Sequence, residues 1–546
     1  MSLRPIVALS CCLALAPTIA YVGARAAKPT ISGDTVTPVG FAFEEATIAG
    51  LQARMRSGDI DSRRLTRAYL DRIAAIDDAG PMLNAVIELN PDAMREAAAL
   101  DAERKAGKLR GPLHGIPVLL KDNIDAVPMA NSAGSLALAD HRPKTDAPLV
   151  ARLRAAGAVI LGKTNLSEWA NFRSSQSTSG WSGRGGQTRN PYALDRSPCG
   201  SSSGTGAAIA ANLATVGIGT ETDGSILCPS AMNGLVGIKP TVGLIIRSGI
   251  IPISSSQDTA GPMARTVTDA AIVLGVLTSP GSDEFATRSA GDSGKNYAAA
   301  LSPDALKGAR IGVLRDRMGY QPALDAAFER ALIALRAAGA EVVDAEIATA
   351  GQWNDAESEV LFHEFKAGLN RYLGESGAPV ASLAELIAYN NAHADMEMPW
   401  FGQDLFERAQ AKGPLTDKVY LEARANAIRL AKDEGLDATL KAQRLDALVA
   451  PTTSSAWMID PINGDHFSGA GYGVAAVAGT PSITVPMGDV HGLPVGIVFM
   501  GAAWSEAKLI GYAFDYEQAT HARKPPTFAP SIGASTATVP QEVDVR

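Results

Sequence analysis

"PLVARLRAAGAVILGK", residues 148–163, is a helix that runs straight into a strand: "PLVARLRAAGA" has the helical pattern, and "VILGK" is a short apolar run of strand length ending on a lysine. The same order occurs just upstream. "LNAVIEL" (83–89) reads as a strand, "DAMREAAALDAERKAGK" (92–108) as a helix, and "IPVLLK" (116–121) as a buried strand that also ends on a lysine. Such alternation implies βαβ units around a buried sheet. Strand-like runs return at "ARIGVL" (309–314), "AEVVDAEI" (340–347), "LDALVAP" (445–451), "SITVPMG" (482–488) and "PVGIVFMG" (494–501), while residues 350–445 are helical in pattern and carry no motif. The expected class is α/β, with a large twisted mixed sheet, mostly parallel, covered by helices on both faces.

The bulk composition narrows the function. In 546 residues, 46% are hydrophobic and 19% charged, which supplies a large core and excludes a disordered body. The net charge is −8, with Lys and Arg spread along the chain, so there is no basic footprint for nucleic acid. A small-molecule or peptide substrate fits better. No C-x-x-C pair and no H-E-x-x-H motif occurs, so the sequence gives no support for zinc or any other metal. Nothing in it specifies an oligomeric state.

Residues 1–26 read as a secretory signal: Arg4, then an apolar stretch from Ile6 to Val22, then Ala24-Arg25-Ala26 at the cleavage-determining positions. The run is too short and too interrupted for a spanning helix, so stable membrane insertion after cleavage is not expected. This predicts a secreted or periplasmic protein, a single domain over 27–523, and a proline-containing tail over 524–546 that is poorly ordered. Removal of the signal would leave Cys199 and Cys228, for which buried packing is the simpler expectation and a disulfide is permitted.

"CGSSSG" (199–204) matches the G-x-S-x-G letters of a nucleophile elbow, but it follows turn-forming sequence instead of a strand, and no histidine downstream sits in a catalytic pattern. A different serine is better placed. In "GIGTETDGSILCP" (217–229) an apolar strand delivers a tight turn bearing Ser225, with backbone N–H groups at close range. Lys121, at the end of its own strand, would face the same crevice at the carboxyl ends of the sheet. A buried lysine loses its charge more readily and can act as a base, so a Ser-Ser-Lys relay needs no histidine. Lys163 in "GKTN" is the rival base, His114 is expected to order the loop before the strand, and Trp169, Phe172 and Trp457 are either acyl-pocket or core residues.

Six blocks, in order, resemble the amidase signature family: "GPLHGIPVLLKDN" (111–123), "LGKTNLSEWA" (161–170), "NPYALDRSPCGSSSG" (190–204), "GTETDGSILCPSAMNGLVGIKPT" (219–241), "SQDTAGPMART" (256–266) and "GLPVGIVFMG" (492–501). The resemblance spans about residues 45 to 520 and implies the amidase signature fold. Through "WANF", "SPCGSSSG" and "TETDGS" it is closest to the branch that hydrolyses the C-terminal carboxamides of peptides. It implies Lys121 as base, Ser201 as a bridging serine preceded by a cis peptide, and Ser225 as acyl nucleophile. The N–H groups of Thr222, Asp223, Gly224 and Ser225 would form the oxyanion hole, with no cofactor. Two motifs depart from the common family text: "GGSSGG" is "CGSSSG" here, and "D-x-G-G-S" is "E-T-D-G-S", which places Asp223 where most members have glycine. The expected activity is hydrolysis of peptide amides with release of ammonia. A broad aliphatic or aryl amidase shares the relay, and a glutaminase subunit of a tRNA amidotransferase belongs to the same family but works in the cytosol. A catalytically silent binding protein would not need the intact Lys121, Ser201 and Ser225 set.

Overall fold

The computed structural model describes residues 40–278 and 296–533. The predicted signal, all but Asn296 of the polar loop 279–296, and residues 534–546 of the predicted tail lie outside these.

Eleven strands form one sheet: β1 (Val86–Leu89), β2 (Pro117–Lys121), β3 (Val159–Thr164), β4 (Val216–Glu221), β5 (Val236–Lys239), β6 (Thr259–Ala264), β7 (Arg310–Leu314), β8 (Glu341–Ala345), β9 (Ala447–Pro451), β10 (Ser482–Val490) and β11 (Leu493–Met500). Their spatial order is β1-β3-β2-β4-β6-β5-β10-β11-β9-β7-β8. The sheet is large and mixed, as expected. Parallel pairing, which the βα alternation predicts, is confined to two flanks, β3-β2-β4 and β9-β7-β8. Both flanks are built with intervening helices, whereas the centre is made of antiparallel neighbours such as β10 and β11, which a tight turn joins.

Strand alternation divides the core between two faces. Val449, Ile497 and Phe499 belong to one hydrophobic cluster; Leu448, Ala450, Val498 and Met500 belong to another. Period-two side-chain direction buries both sets because helices cover both sides. The helix predicted at 148–158 forms over Pro148–Ala155, and the one after "CGSSSG" over Ser203–Ala210. Every residue of Ser203–Ala210 is buried, so it is a core helix with no solvent face.

The motif-free helical region supplies a third cluster. Phe362, Phe365 and Leu369 of the long helix Asn354–Ser376 pack with Phe406, Trp169, Ile251 and Ile253. Gly368 and Tyr372 of that helix line one cavity with Ser201, Thr220 and Ser225.

The chain beyond Arg523 departs from the expected loose tail as far as it is described. Tyr192 donates its hydroxyl to the Lys524 carbonyl, Phe528 N–H bonds Pro191 O at 2.9 Å, and Leu194 N–H bonds Ala529 O at 2.8 Å. Proline content suggested disorder, but prolines leave neighbouring backbone groups free to pair with the loop at 190–194.

Candidate active site

β2 and β4 are parallel neighbours, with Leu120 level with Ile218, so their carboxyl ends deliver Lys121 and Thr220 side by side. Lys121 is fully buried. Its Nζ lies within hydrogen-bond distance of Ser201 Oγ, at 2.8 Å, and donates to Thr220 Oγ1 at 2.9 Å and to Thr220 O at 3.3 Å. Burial lowers its pKa to about 7, against the opposing pull of Asp258 and Glu221. A neutral amine near pH 7, bonded to a serine hydroxyl, is a competent general base.

The three consecutive serines have three different partners. Ser201 meets Lys121, and the Gly200–Ser201 peptide is cis. Ser202 exchanges bonds with the Thr220 backbone, donating to its carbonyl at 3.1 Å and accepting from its N–H at 3.2 Å. Ser203 Oγ lies 3.1 Å from Ser167 Oγ. Only Ser201 touches the lysine; the other two hold the loop against β4 and the segment after β3.

Ser225 follows β4 in a turn braced from within. Glu221, the last residue of the strand, accepts from Ile226 N–H at 2.7 Å and Leu227 N–H at 2.9 Å. Thr222 Oγ1 donates to Asp258 at 2.6 Å, and Asp258 accepts from the N–H groups of Ile253 and Ser254. Gly224 takes a φ of 82°, in the left-handed region open to glycine. A Cβ there would also overlap the ring of Tyr472. Among the described residues, no acceptor takes the amide N–H of Asp223 or Ser225, so both are available to an oxyanion. Gly224 N–H turns instead toward the Glu221 carboxylate.

Ser201 and Ser225 line one cavity of about 460 Å³ together with Asn123 and Thr220. The structure brings them to a common wall without a hydrogen bond between their hydroxyls. A second cavity, of about 520 Å³, also reaches Ser225, and Phe172, Leu361, Trp457, Phe467 and Tyr472 line it. Phe172 and Trp457 therefore face open space, whereas Trp169 packs against Phe406 in the core.

The rival base is accounted for otherwise. Lys163 Nζ donates to Ile124 O at 2.6 Å and Ala130 O at 3.2 Å and pairs with Asp122 at 3.2 Å, so it ties down the loop after Lys121. His114 bonds Leu100 O and accepts from Arg110 N–H, ordering its loop as anticipated. None of the five histidines downstream of Ser225 lines the two cavities that reach it.

The expectation for the cysteines is corrected. Cys199 and Cys228 are joined by a disulfide, their Cα atoms 6.0 Å apart. Cys199 precedes Ser201 by two positions and Cys228 follows Ser225 by three, so the bond clamps the two serine loops together. Also absent from the sequence reading were Thr220, Asn123, Glu221 and Gln257. Gln257 Nε2 spans the Thr222 carbonyl at 3.4 Å and Glu357 at 2.8 Å. Each of these sits inside or beside a recognised block, but polar residues at strand ends carry no period that reveals a partner.

A buried neutral lysine, a serine on it, and a second serine on a turn with free amides define a serine hydrolase of the amide-cleaving class. A family model described as Amidase matches residues 64–510, and the chain belongs to the amidase family. The solved native peptide amidase from Stenotrophomonas maltophilia is 58% identical, with a TM-score of 0.87 over 90% of this chain and all of that one. A peptide amidase in complex with the competitive inhibitor chymostatin is 59% identical, with a TM-score of 0.88 over 89% of this chain and all of that one. A "probable amidase" of Arabidopsis thaliana is 40% identical over 502 residues, covering 89% of this chain and 92% of the relative. The protein is thus an amidohydrolase with the amidase signature fold.

Proposed function

We propose that the protein hydrolyses the C-terminal carboxamides of peptides, releasing ammonia through an acyl-enzyme, and that it works outside the cytoplasm. The observation that carries the mechanism is the 2.8 Å contact of Lys121 Nζ with Ser201 Oγ in a fully buried setting. Neutral Lys121 takes the Ser201 proton as Ser201 takes that of Ser225, and the Ser225 Oγ–carbon bond forms. The carbonyl electron pair moves onto oxygen, where the Asp223 and Ser225 amides hold it. Collapse breaks the carbon–nitrogen bond, and the proton returns through Ser201 to the leaving nitrogen. Water then enters by the same route and frees the carboxylic acid.

Likeness to the two peptide amidase structures at 58% and 59% identity supports the peptide substrate. The signal-like residues 1–26 and a buried disulfide beside the catalytic loops support an oxidising compartment. No helix among the described residues is long and apolar enough to cross a membrane.

Ammonia release from a panel of peptide amides, aryl amides and glutamine tests the substrate. Preference for peptide amides is expected, and equal or better turnover of aryl amides would overturn it. Amino-terminal sequencing of protein recovered from the producing cells should begin at Ala27; an intact Met1 in the mature protein would remove the export reading.

A further inference from the structure

Ser225 stands where two cavities meet, and the relay decides which holds which half of the substrate. The departing nitrogen must reach Ser201 Oγ to collect its proton, so it occupies the cavity that Ser201 lines. The acyl half then extends into the other cavity, which Ser201 does not line and Asp223 does.

Asp223 is an unusual occupant of that wall. It lies in the turn whose own amide would hold the oxyanion, and its side chain is exposed to the cavity. Its carboxylate has no hydrogen bond or ion pair with any described residue. The other carboxylates of this turn have protein donors: Glu221 Oε2 accepts from Ile226 and Leu227, and Asp258 from Thr222, Ile253 and Ser254. A carboxylate that no protein group engages, on the wall of an open cavity, is free to exchange water for a ligand's donor.

In an α-amino amide the nearest donor on the acyl side is the nitrogen on the α-carbon, two bonds from the scissile carbonyl carbon. We infer that the Asp223 carboxylate accepts the N–H borne by that α-carbon, which makes Asp223 the residue selecting peptide amides over plain carboxamides. The inference rests on the peptide-amide reading above. The aromatic wall of Phe172, Trp457, Phe467 and Tyr472 then receives the side chain and preceding residues.

The test compares N-acetylphenylalaninamide with 3-phenylpropanamide, the same skeleton without the α-nitrogen, in wild type, Asp223→Ala and Asp223→Asn. The expected result is that Asp223→Ala lowers the ratio of the two kcat/KM values by about 10- to 100-fold, the range set by one hydrogen bond to a charged group. Asp223→Asn, which keeps an acceptor oxygen, restores part of the ratio. An equal loss on both amides, or an unchanged ratio, overturns the inference and leaves the peptide-amide reading standing. A wild-type ratio near one overturns both.

Discussion

Lys121 must be buried to be a base and must be satisfied to be buried, and Thr220 reconciles the two by accepting twice from its amine. Because the lysine pKa lies at about 7, kcat/KM is expected to fall about tenfold per pH unit below that value and to level off above it, as a pH–rate profile would show. The sign for stability follows from the same group. Its folded pKa of about 7 lies below the 10.5 of a free lysine, so the unfolded chain binds more protons between those values. Over that window Lys121 makes stability rise with pH. Ser225→Ala should lower kcat by about 10⁴-fold or more while leaving the circular dichroism spectrum unchanged, since the serine hydroxyl has no structural bond to lose. Gly224→Ala should cost at least about 100-fold in kcat, because the new methyl meets the Tyr472 ring at a left-handed backbone position and displaces the oxyanion turn. The three relay residues were legible because each lies in a distinctive block. Thr220 and Glu221 were not: a threonine and a glutamate at the end of a strand look the same in sequence whether they face solvent or clamp a catalytic turn.

The elements that hold these residues were legible in proportion to their apolar period. The runs ending at Lys121 and Lys163 form strands over Pro117–Lys121 and Val159–Thr164. Strand direction was less accessible, since an apolar run is the same whether its neighbour is parallel or antiparallel. The helix Asn354–Ser376 lies in the region expected to be helical and free of motifs. Its role comes from shape, as Leu361 borders one cavity while Gly368 and Tyr372 border the other. Cooperation between loops is clearest in the Cys199–Cys228 bond, which closes a segment with a separation of 29 residues. Chain entropy for a loop of that length gives about 3 to 4 kcal/mol of stabilisation. Cys199→Ser with Cys228→Ser should therefore lower resistance to urea by about that amount, measured as equilibrium unfolding or as the rate of inactivation.

For the molecule as a whole, two ends of the described chain meet. Glu45 pairs with Arg523 at 2.7 Å, and Arg523 also donates to the Gly234 carbonyl at 2.7 Å. A chain ending at His521 keeps every relay residue but loses that pair and the backbone bonds to Pro191 and Leu194, a few residues ahead of Cys199. Such a truncation is expected to lose most activity against a peptide amide and to inactivate faster on heating; full activity would show that the strap is dispensable. The family was legible because six distinctive blocks are spaced in order between residues 111 and 501. The contacts of Lys524, Phe528 and Ala529 were not legible, because bonds between main-chain groups leave no mark on side-chain composition.

That strap also ties together distant parts of the described chain. Tyr192 and Lys524 are 332 positions apart, yet their bond helps fasten the loop that leads into Cys199 and Ser201. A proteolytic cut within 523–529 is therefore expected to reach the site from outside it, leaving Lys121, Ser201 and Ser225 unaltered while freeing the loop on which Ser201 sits.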